Sequence, residues 1–236
     1  MMPPLRVCYQ KIVFGLGAMR IFLVNLLLIS GLVYFELNNR EMDKLKALLR
    51  KECAYVPSDD LLDRFLSLGE LHRYDSGSIL TETGVTDTNM YVVKKGIVRF
   101  SDFDGDRERT FAFALPGTVF YNKYSFVKNL ESYYQVDLWG DCEIIAISRS
   151  EWQKLVAECH DAALWMLSYA QEELFFQEYK NARIYNGSAA ERFKSLLCLR
   201  PELLKYVPQR ILASYLGITP EYFSRLKRRF KDMQEL

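Results

Sequence analysis

The sequence predicts an α+β protein: an N-terminal β-roll, then a long helix, then a C-terminal pair of short helices joined by a tight turn. Three observations predict it. Between about 71 and 148 the chain breaks into short strand-like runs punctuated by glycine; from 150 to 185 it has neither proline nor glycine; and from 208 to 230 one glycine separates two runs of helical periodicity, the second strongly basic.

The roll comes first. "GSILTETG" (77–84), "MYVVKKG" (90–96), "IVRFSDFDGD" (97–106), "RTFAFALPG" (109–117), "YYQVDLW" (133–139) and "CEIIAIS" (142–148) are rich in β-branched and aromatic residues, and several alternate between apolar and polar positions. Runs this short, separated by Gly77, Gly84, Gly96, Gly105, Gly117 and Gly140, suit a compact double-sheet barrel with hairpin turns, one of them at Asp104-Gly105. The period then changes. "SEWQKLVAECHDAALWMLSYAQEELFFQEYKNARIY" (150–185) reads as one long helix, with Leu164, Leu167 and Leu174 at heptad-like spacing. A seam of that kind on a helix longer than a cap requires is expected to pair with a second copy of itself.

At the end of the chain, "PQRILASYL" (208–216) places Ile211, Leu212, Tyr215 and Leu216 on one helical face and stops at Gly217, a residue free to adopt the left-handed turn conformation. Thr219 is positioned to cap the next helix, Pro220 tolerates its donor-free first turn, and Glu221 suits its positive end. Ile218, Phe223, Leu226 and Phe230 then mark the buried face of "GITPEYFSRLKRRF" (217–230). This is a helix-turn-helix arrangement, whose second helix enters the major groove of DNA. Charge agrees. Residues 187–236 hold ten Lys/Arg against five Asp/Glu, a net of +5, while the remainder of the chain carries −4. A near-neutral total conceals a basic end suited to a phosphate backbone.

At 236 residues, half of them hydrophobic, the chain has room for one large or two modest domains. Five scattered cysteines (Cys8, Cys53, Cys142, Cys159, Cys198) without a Cys-x-x-Cys pair, and only His72 and His160 beside them, read as reduced, mostly buried thiols and as no metal site. There is no phosphate-loop lysine motif, Gly15-x-Gly17 lacks the third glycine of a dinucleotide fingerprint, and the histidines suit surface or packing positions. No enzymatic activity and no cofactor are expected. Residues 12–35 are apolar except for Arg20, Asn25 and Ser30, long enough for a tilted membrane span. Three readings stay open: a membrane anchor with the body in the cytoplasm, as the excess of basic residues after the span favours; upstream sequence ahead of a true start at Met42, where "MDKLKALLRKE" begins an ordinary amphipathic helix; and a buried helix.

Roll, long helix and terminal helix-turn-helix together resemble the Crp/Fnr family of bacterial transcription regulators, related to the cyclic-AMP receptor protein. The resemblance covers about 56 to 231 and is carried by "NMYVVKKGIVRF" with its downstream Pro116-Gly117, by "CEIIAIS" leading into a helix, and by "PQRILASYLGITPEYFSRLKRRF" through Ala213, Leu216, Gly217, Thr219 and Arg225. It implies a cyclic-nucleotide-binding-like roll over 42–160 with flanking helices, a dimerisation helix over 161–186 and a DNA-binding domain over 187–236, with residues 1–41 outside. Its expected partners are double-stranded DNA, RNA polymerase, a second copy of the chain and a small-molecule effector, in the cytoplasm. The resemblance places base contacts at Pro220, Glu221 and Arg225, with Thr219, Tyr222 and Arg228 on phosphates and Lys227 and Arg229 nearby.

The sequence departs from the family in the loop that grips cyclic nucleotides. Where the Gly-Glu pair belongs it has Asn122 and Lys123, and where the phosphate-binding Arg-Ser pair belongs it has Ser132 and Tyr133. A cyclic phosphate without its guanidinium is an uncompensated buried charge, so the effector is expected to be something other than cyclic AMP. Phe120, Tyr121, Asn122, Lys123, Ser132 and Tyr133 are the candidate effector-pocket residues. Cys8 and Cys53 cannot supply the cysteine cluster of the iron–sulfur branch. Only "KDMQEL" follows the recognition helix, where the family carries a β-hairpin wing. The rival reading is a sensor or adaptor that keeps the fold without binding DNA.

Overall fold

The computed structural model describes residues 40–105, 107–179 and 187–234, and the chain divides into two compact units, 1–44 and 45–236. Of the first unit only 40–44 are described, so the apolar segment 12–35 and Cys8 lie outside the described residues. No described helix is long and apolar enough to cross a membrane.

A helix over 40–49 (α1) leads into the second unit. There follow α2 (Asp59–Ser67), β1 (Glu70–Tyr74), β2 (Ile79–Thr81), β3 (Asn89–Asp104), β4 (Arg107–Ala114), β5 (Val119–Tyr121), α3 (Lys123–Lys128), β6 (Gln135–Ser148), α4 (Arg149–Glu158), α5 (His160–Tyr179), α6 (Ala189–Leu199), α7 (Leu203–Tyr206), α8 (Gln209–Tyr215) and α9 (Pro220–Gln234). All strand pairs are antiparallel. The long β3–β6 ladder is shared by two halves: β1 and β5 flank it at one end, β2 and β4 at the other. The roll thus closes by bending two long strands.

Sequence reading divided both long strands at glycine. The structure keeps β3 continuous through Gly96 and β6 continuous through Gly140. Inward residues of β3 are Tyr91 and Val93 before Gly96 but Val98 and Phe100 after it, whereas on β6 Val136, Leu138, Cys142, Ile144 and Ala146 keep one parity. The ladder register shifts on either side of the Lys95–Glu143 pair: Lys94 is the extra residue on β3 before it, and β6 carries the surplus between Glu143 and Trp139. Gly96 has φ +91°, and a Cβ there would collide with the Cys142 side chain and crowd its backbone. The Asp104-Gly105 hairpin forms as expected, with Asp104 paired to Arg107.

The expected single helix over 150–185 is two. Cys159 adopts an extended conformation (φ −126°, ψ 109°) and separates α4 from α5, which lets Trp152 of α4 and Trp165 of α5 both edge onto Phe65 of α2 at 5.5 and 4.9 Å. Tertiary packing of three rings outweighs local propensity here. Residues 180–186 of the expected dimerisation helix lie outside the described residues. The thiols also differ from expectation: Cys53 and Cys142 are buried, but Cys159 is half-buried and Cys198 exposed, all four free.

Gly96→Ala combines a left-handed backbone with a filled neighbour, whereas Gly105→Ala at φ +61° meets open space. Gly96→Ala should therefore lower stability by about 1–3 kcal/mol, and Gly105→Ala by less. Urea unfolding of the two variants checks the order; equal midpoints would mean that the bulge does not need glycine.

Candidate nucleic-acid interface and effector cavity

The C-terminal helices build their own core. Ser188 and Glu191 form a reciprocal capping box that starts α6. Phe193 of α6 is fully buried and contacts Phe223 and Phe230 of α9, ring centroids 5.2 and 5.4 Å apart. Leu196, Leu203, Ile211, Leu212, Leu216 and Leu226 complete the cluster. The apolar face of α9 therefore packs on α6 as well as on α8. Between α8 and α9, Gly217 takes φ +63° and the Ile218 amide donates to Ala213 O at 2.9 Å. Arg192 donates to Leu216 O at 2.8 Å and to Gly187 O at 2.7 Å, tying the turn to the start of α6. Thr219 accepts from the Tyr222 amide at 3.2 Å, the cap its position implied.

On the opposite side of α9, Pro220, Glu221, Arg225, Lys227, Arg228 and Arg229 are exposed and Tyr222 is half-buried. The Arg225 guanidinium lies over the Tyr222 ring, 5.1 Å from its centroid. Backbone N–H at the helix start and the Thr219 hydroxyl hold the Glu221 carboxyl below its ordinary range, with Arg225 adding to the effect. Glu221 is thus a fixed acceptor, and Arg225 a donor steadied by an aromatic face.

These helices dock on the roll. β4 is an edge strand, and two of its outward backbone groups meet Ser214 of α8, whose hydroxyl accepts from the Thr110 amide at 3.1 Å and donates to Glu108 O at 3.4 Å. Phe113 of β4 edges onto Tyr215 at 5.2 Å. Ile97, Leu115 and Trp139, on the outer side of the sheet, join the same cluster. Beside them Arg99, 6% exposed, makes a two-pronged ion pair with Asp137 (2.6–2.9 Å) and reaches Glu108 at 2.6 Å. Burial opposes its charge, but the hydrogen bonds it donates to Asp137 and Glu108 outweigh that and keep it protonated. None of these contacts has a local sequence signal.

The loop expected to hold an effector is closed by its own hydrogen bonds. Asn122 accepts from the amides of Tyr124 and Ser125, capping α3, and donates to Ser132 Oγ at 2.5 Å; Ser132 in turn donates to Tyr134 O at 2.5 Å. Asn122 and Ser132 are buried at 4% and 2% exposure. Asn129, in the left-handed conformation at φ 56°, ends α3, and Arg149 holds the Phe126 carbonyl at 3.1 Å. Tyr133 is half-exposed and packs on Tyr124. A cavity of about 320 Å³ lies elsewhere, between the roll, α5 and α6–α8. Its wall includes Phe120, Tyr121 and Lys123 of the six candidates; Asn122, Ser132 and Tyr133 lie outside it. Missed in the sequence were Tyr169, Phe176, Arg200 and Tyr215, which line it from segments far apart in the chain.

On α5, Ala162, Trp165, Ser168 and Tyr169 face inward. Tyr169, kept neutral by burial, donates to Val119 O, and Ser168 accepts from the Tyr55 amide at 3.0 Å. Leu164 is half-buried, while Leu167 and Leu174 are 56% and 68% exposed, with Phe175 beside them at 63%.

Residues 71–159 match the family model of the cyclic nucleotide-binding domain. Solved structures share the fold at low identity: FixK2 from Bradyrhizobium japonicum (TM-score 0.61, 21% identity, 70% of this chain and 86% of that one), the c-di-GMP-responsive global regulator CLP of Xanthomonas campestris (0.59, 19%, 75% and 93%) and a CooA mutant from Carboxydothermus hydrogenoformans (0.56, 19%, 72% and 79%). A search of curated proteins gave no match. Residues 71–159 thus match a cyclic nucleotide-binding domain, and the chain shares the fold of these solved regulators.

Proposed function

We propose that the protein is a homodimeric, sequence-specific DNA-binding transcription regulator of the Crp/Fnr type, acting without enzymatic activity and controlled by an effector other than cyclic AMP. The observation that carries this is α9: capped at Thr219, anchored through Phe223 and Leu226, and presenting Glu221, Arg225, Lys227, Arg228 and Arg229 to solvent. Nothing in the packing of α6–α9 requires four exposed cations on one short helix. A major groove does. Arg225 suits a bidentate contact with guanine and Glu221 a cytosine amino group, while Pro220 offers only apolar contact. Thr219, Tyr222 and Arg228 hold phosphates and set register. In a dimer two such helices meet half-sites about one turn, roughly 34–36 Å, apart.

Two supports come from outside α9. The exposed apolar stripe of Leu167, Leu174 and Phe175 suits pairing with a second copy. Ser132, which stands where the resemblance implies the phosphate-binding arginine, is instead hydrogen-bonded to Asn122, and this supports an effector other than cyclic AMP. Control of RNA polymerase at promoters follows from the same reading.

Selection of bound genomic fragments by the purified protein, with and without cell extract, tests the reading directly. Arg225→Ala should cost about 1–3 kcal/mol and relax preference at one base pair per half-site, whereas Arg228→Ala should weaken all sequences alike and flatten the salt dependence. If no sequence is ever preferred, the adaptor reading replaces this one. Cyclic AMP and cyclic GMP should give no heat in calorimetric titration at physiological concentrations; micromolar affinity for either would show that the closed loop opens. In sedimentation the protein should be a dimer at micromolar concentration, and Leu167→Glu with Leu174→Glu should shift it to monomer, while an unchanged dimer would place the interface elsewhere.

A further inference from the structure

The cavity between the roll and the C-terminal helices has the features of a ligand site. At about 320 Å³ it stands at the small end of the roughly 300–1,000 Å³ usual for small-molecule sites. Space exists there because β4 turns Ala112 and Ala114 toward it, opposite Phe100 and Val98 of β3. A bulge sets its floor: Phe100 pairs with Ala112 and Ser101 with Thr110, so Phe111 is the extra residue, aimed at Phe100 and Tyr134. Phe113, Phe120, Tyr169 and Tyr215 add further ring surface from β4, β5, α5 and α8.

Six charged side chains stand at its rim, and most are accounted for. Lys123 is paired with Glu173, and Arg192 is committed to two backbone carbonyls. Glu172 lies on α5 beside Glu173. The Arg200 side chain, at the end of α6, makes no hydrogen bond or ion pair with any described residue, and the Glu52 charge opposes its own. Burial pushes the Glu52 carboxyl up, so that group can shed its charge by taking a proton. An arginine cannot. Arg200 is thus a permanent cation at this rim whose side chain has no hydrogen-bond or ion-pair partner among the described residues.

The geometry points to a binding site for an aromatic organic anion, its flat apolar body among the rings of β4, β5 and α5 and its acidic group on Arg200. This rests on the regulator reading only for its biological sense, since it names the class of effector that reading requires. An occupant would touch Tyr215 and Leu216 of α8 together with Phe113 and Phe120 of the roll. It would thus bear directly on the contact that seats the recognition helices, by a route separate from the closed loop at Asn122 and Ser132.

The test uses two dyes of similar shape on the full chain: 8-anilinonaphthalene-1-sulfonate, which is anionic, and the uncharged N-phenyl-1-naphthylamine, each titrated by fluorescence. The difference between variants is read, so that dye held by other apolar surfaces cancels. Arg200→Gln should weaken the sulfonate by about tenfold or more and leave the uncharged dye within about twofold, as loss of a charge-assisted hydrogen bond requires. Retained binding of the uncharged dye also shows that the variant is folded. Ala112→Phe and Ser195→Phe, which fill the cavity from opposite walls, should abolish both dyes. Sulfonate binding unchanged in Arg200→Gln, or unchanged in both filled variants, would overturn the proposal. Because the readout is ligand binding, failure to select DNA would remove the regulator reading and leave this site standing.

Discussion

Everything described here hangs on the antiparallel ladder between β3 and β6. Its inner side forms the core of the roll. Its outer side is covered twice: near one end Met90 meets Phe65, Trp152 and Trp165 of the helices, and near the other Ile97 and Trp139 meet the C-terminal helices. One strand can serve both surfaces only if it bends, and the bulge at Gly96 supplies the bend. Because inward parity changes there on β3 alone, the ladder twists locally while the core stays continuous, which is the usual effect of a bulge on a sheet. The seat of α8 and α9 on the sheet thus depends on a backbone feature more than a hundred residues earlier in the chain.

From that geometry follows the division between the closed loop and the open cavity. A buried amide or hydroxyl must find a partner, and Asn122 and Ser132 find each other and the backbone around α3. Asn122 and Ser132 are thereby engaged with each other and with the backbone. The space between β4 and the C-terminal helices is different in kind. Its walls are rings and alanines from separate elements, and packing rings of fixed shape around a bulge leaves a void that local rearrangement cannot close.

How much of this was legible in the sequence depended on whether the cause was local. The turn at Gly217, the cap at Thr219 and the apolar spacing of Phe223 and Leu226 are local, and they were read correctly. The same holds for the Asp104-Gly105 hairpin and for the alternation that marked the strands. Gly96 was read as a break because a glycine in a strand signals either an end or a bulge, and only the partner strand decides. The split at Cys159 depends on Trp152, Trp165 and Phe65 meeting in space. Ser214 carried no signal at all, since its role requires the free edge of β4. The site was therefore half-readable: the exposed face of α9 follows from one helix, whereas the cavity draws its wall from eight elements.

The seat of the C-terminal helices on the roll combines two unlike contributions. Phe113 on Tyr215 and Trp139 in the shared cluster favour docking by burying apolar surface. On the same side of the sheet, Arg99 and Asp137 are held away from water, with one guanidinium nitrogen left without a partner. Desolvating a charge pair offsets much of its own attraction, so an ion pair adds less to such a contact than apolar residues of the same volume would. Breaking one member is costly, but keeping both gives little net grip. The register of the seat is fixed by the Ser214 hydrogen bonds to β4, while the two-pronged pair joins β3 to β6 within the sheet beneath it.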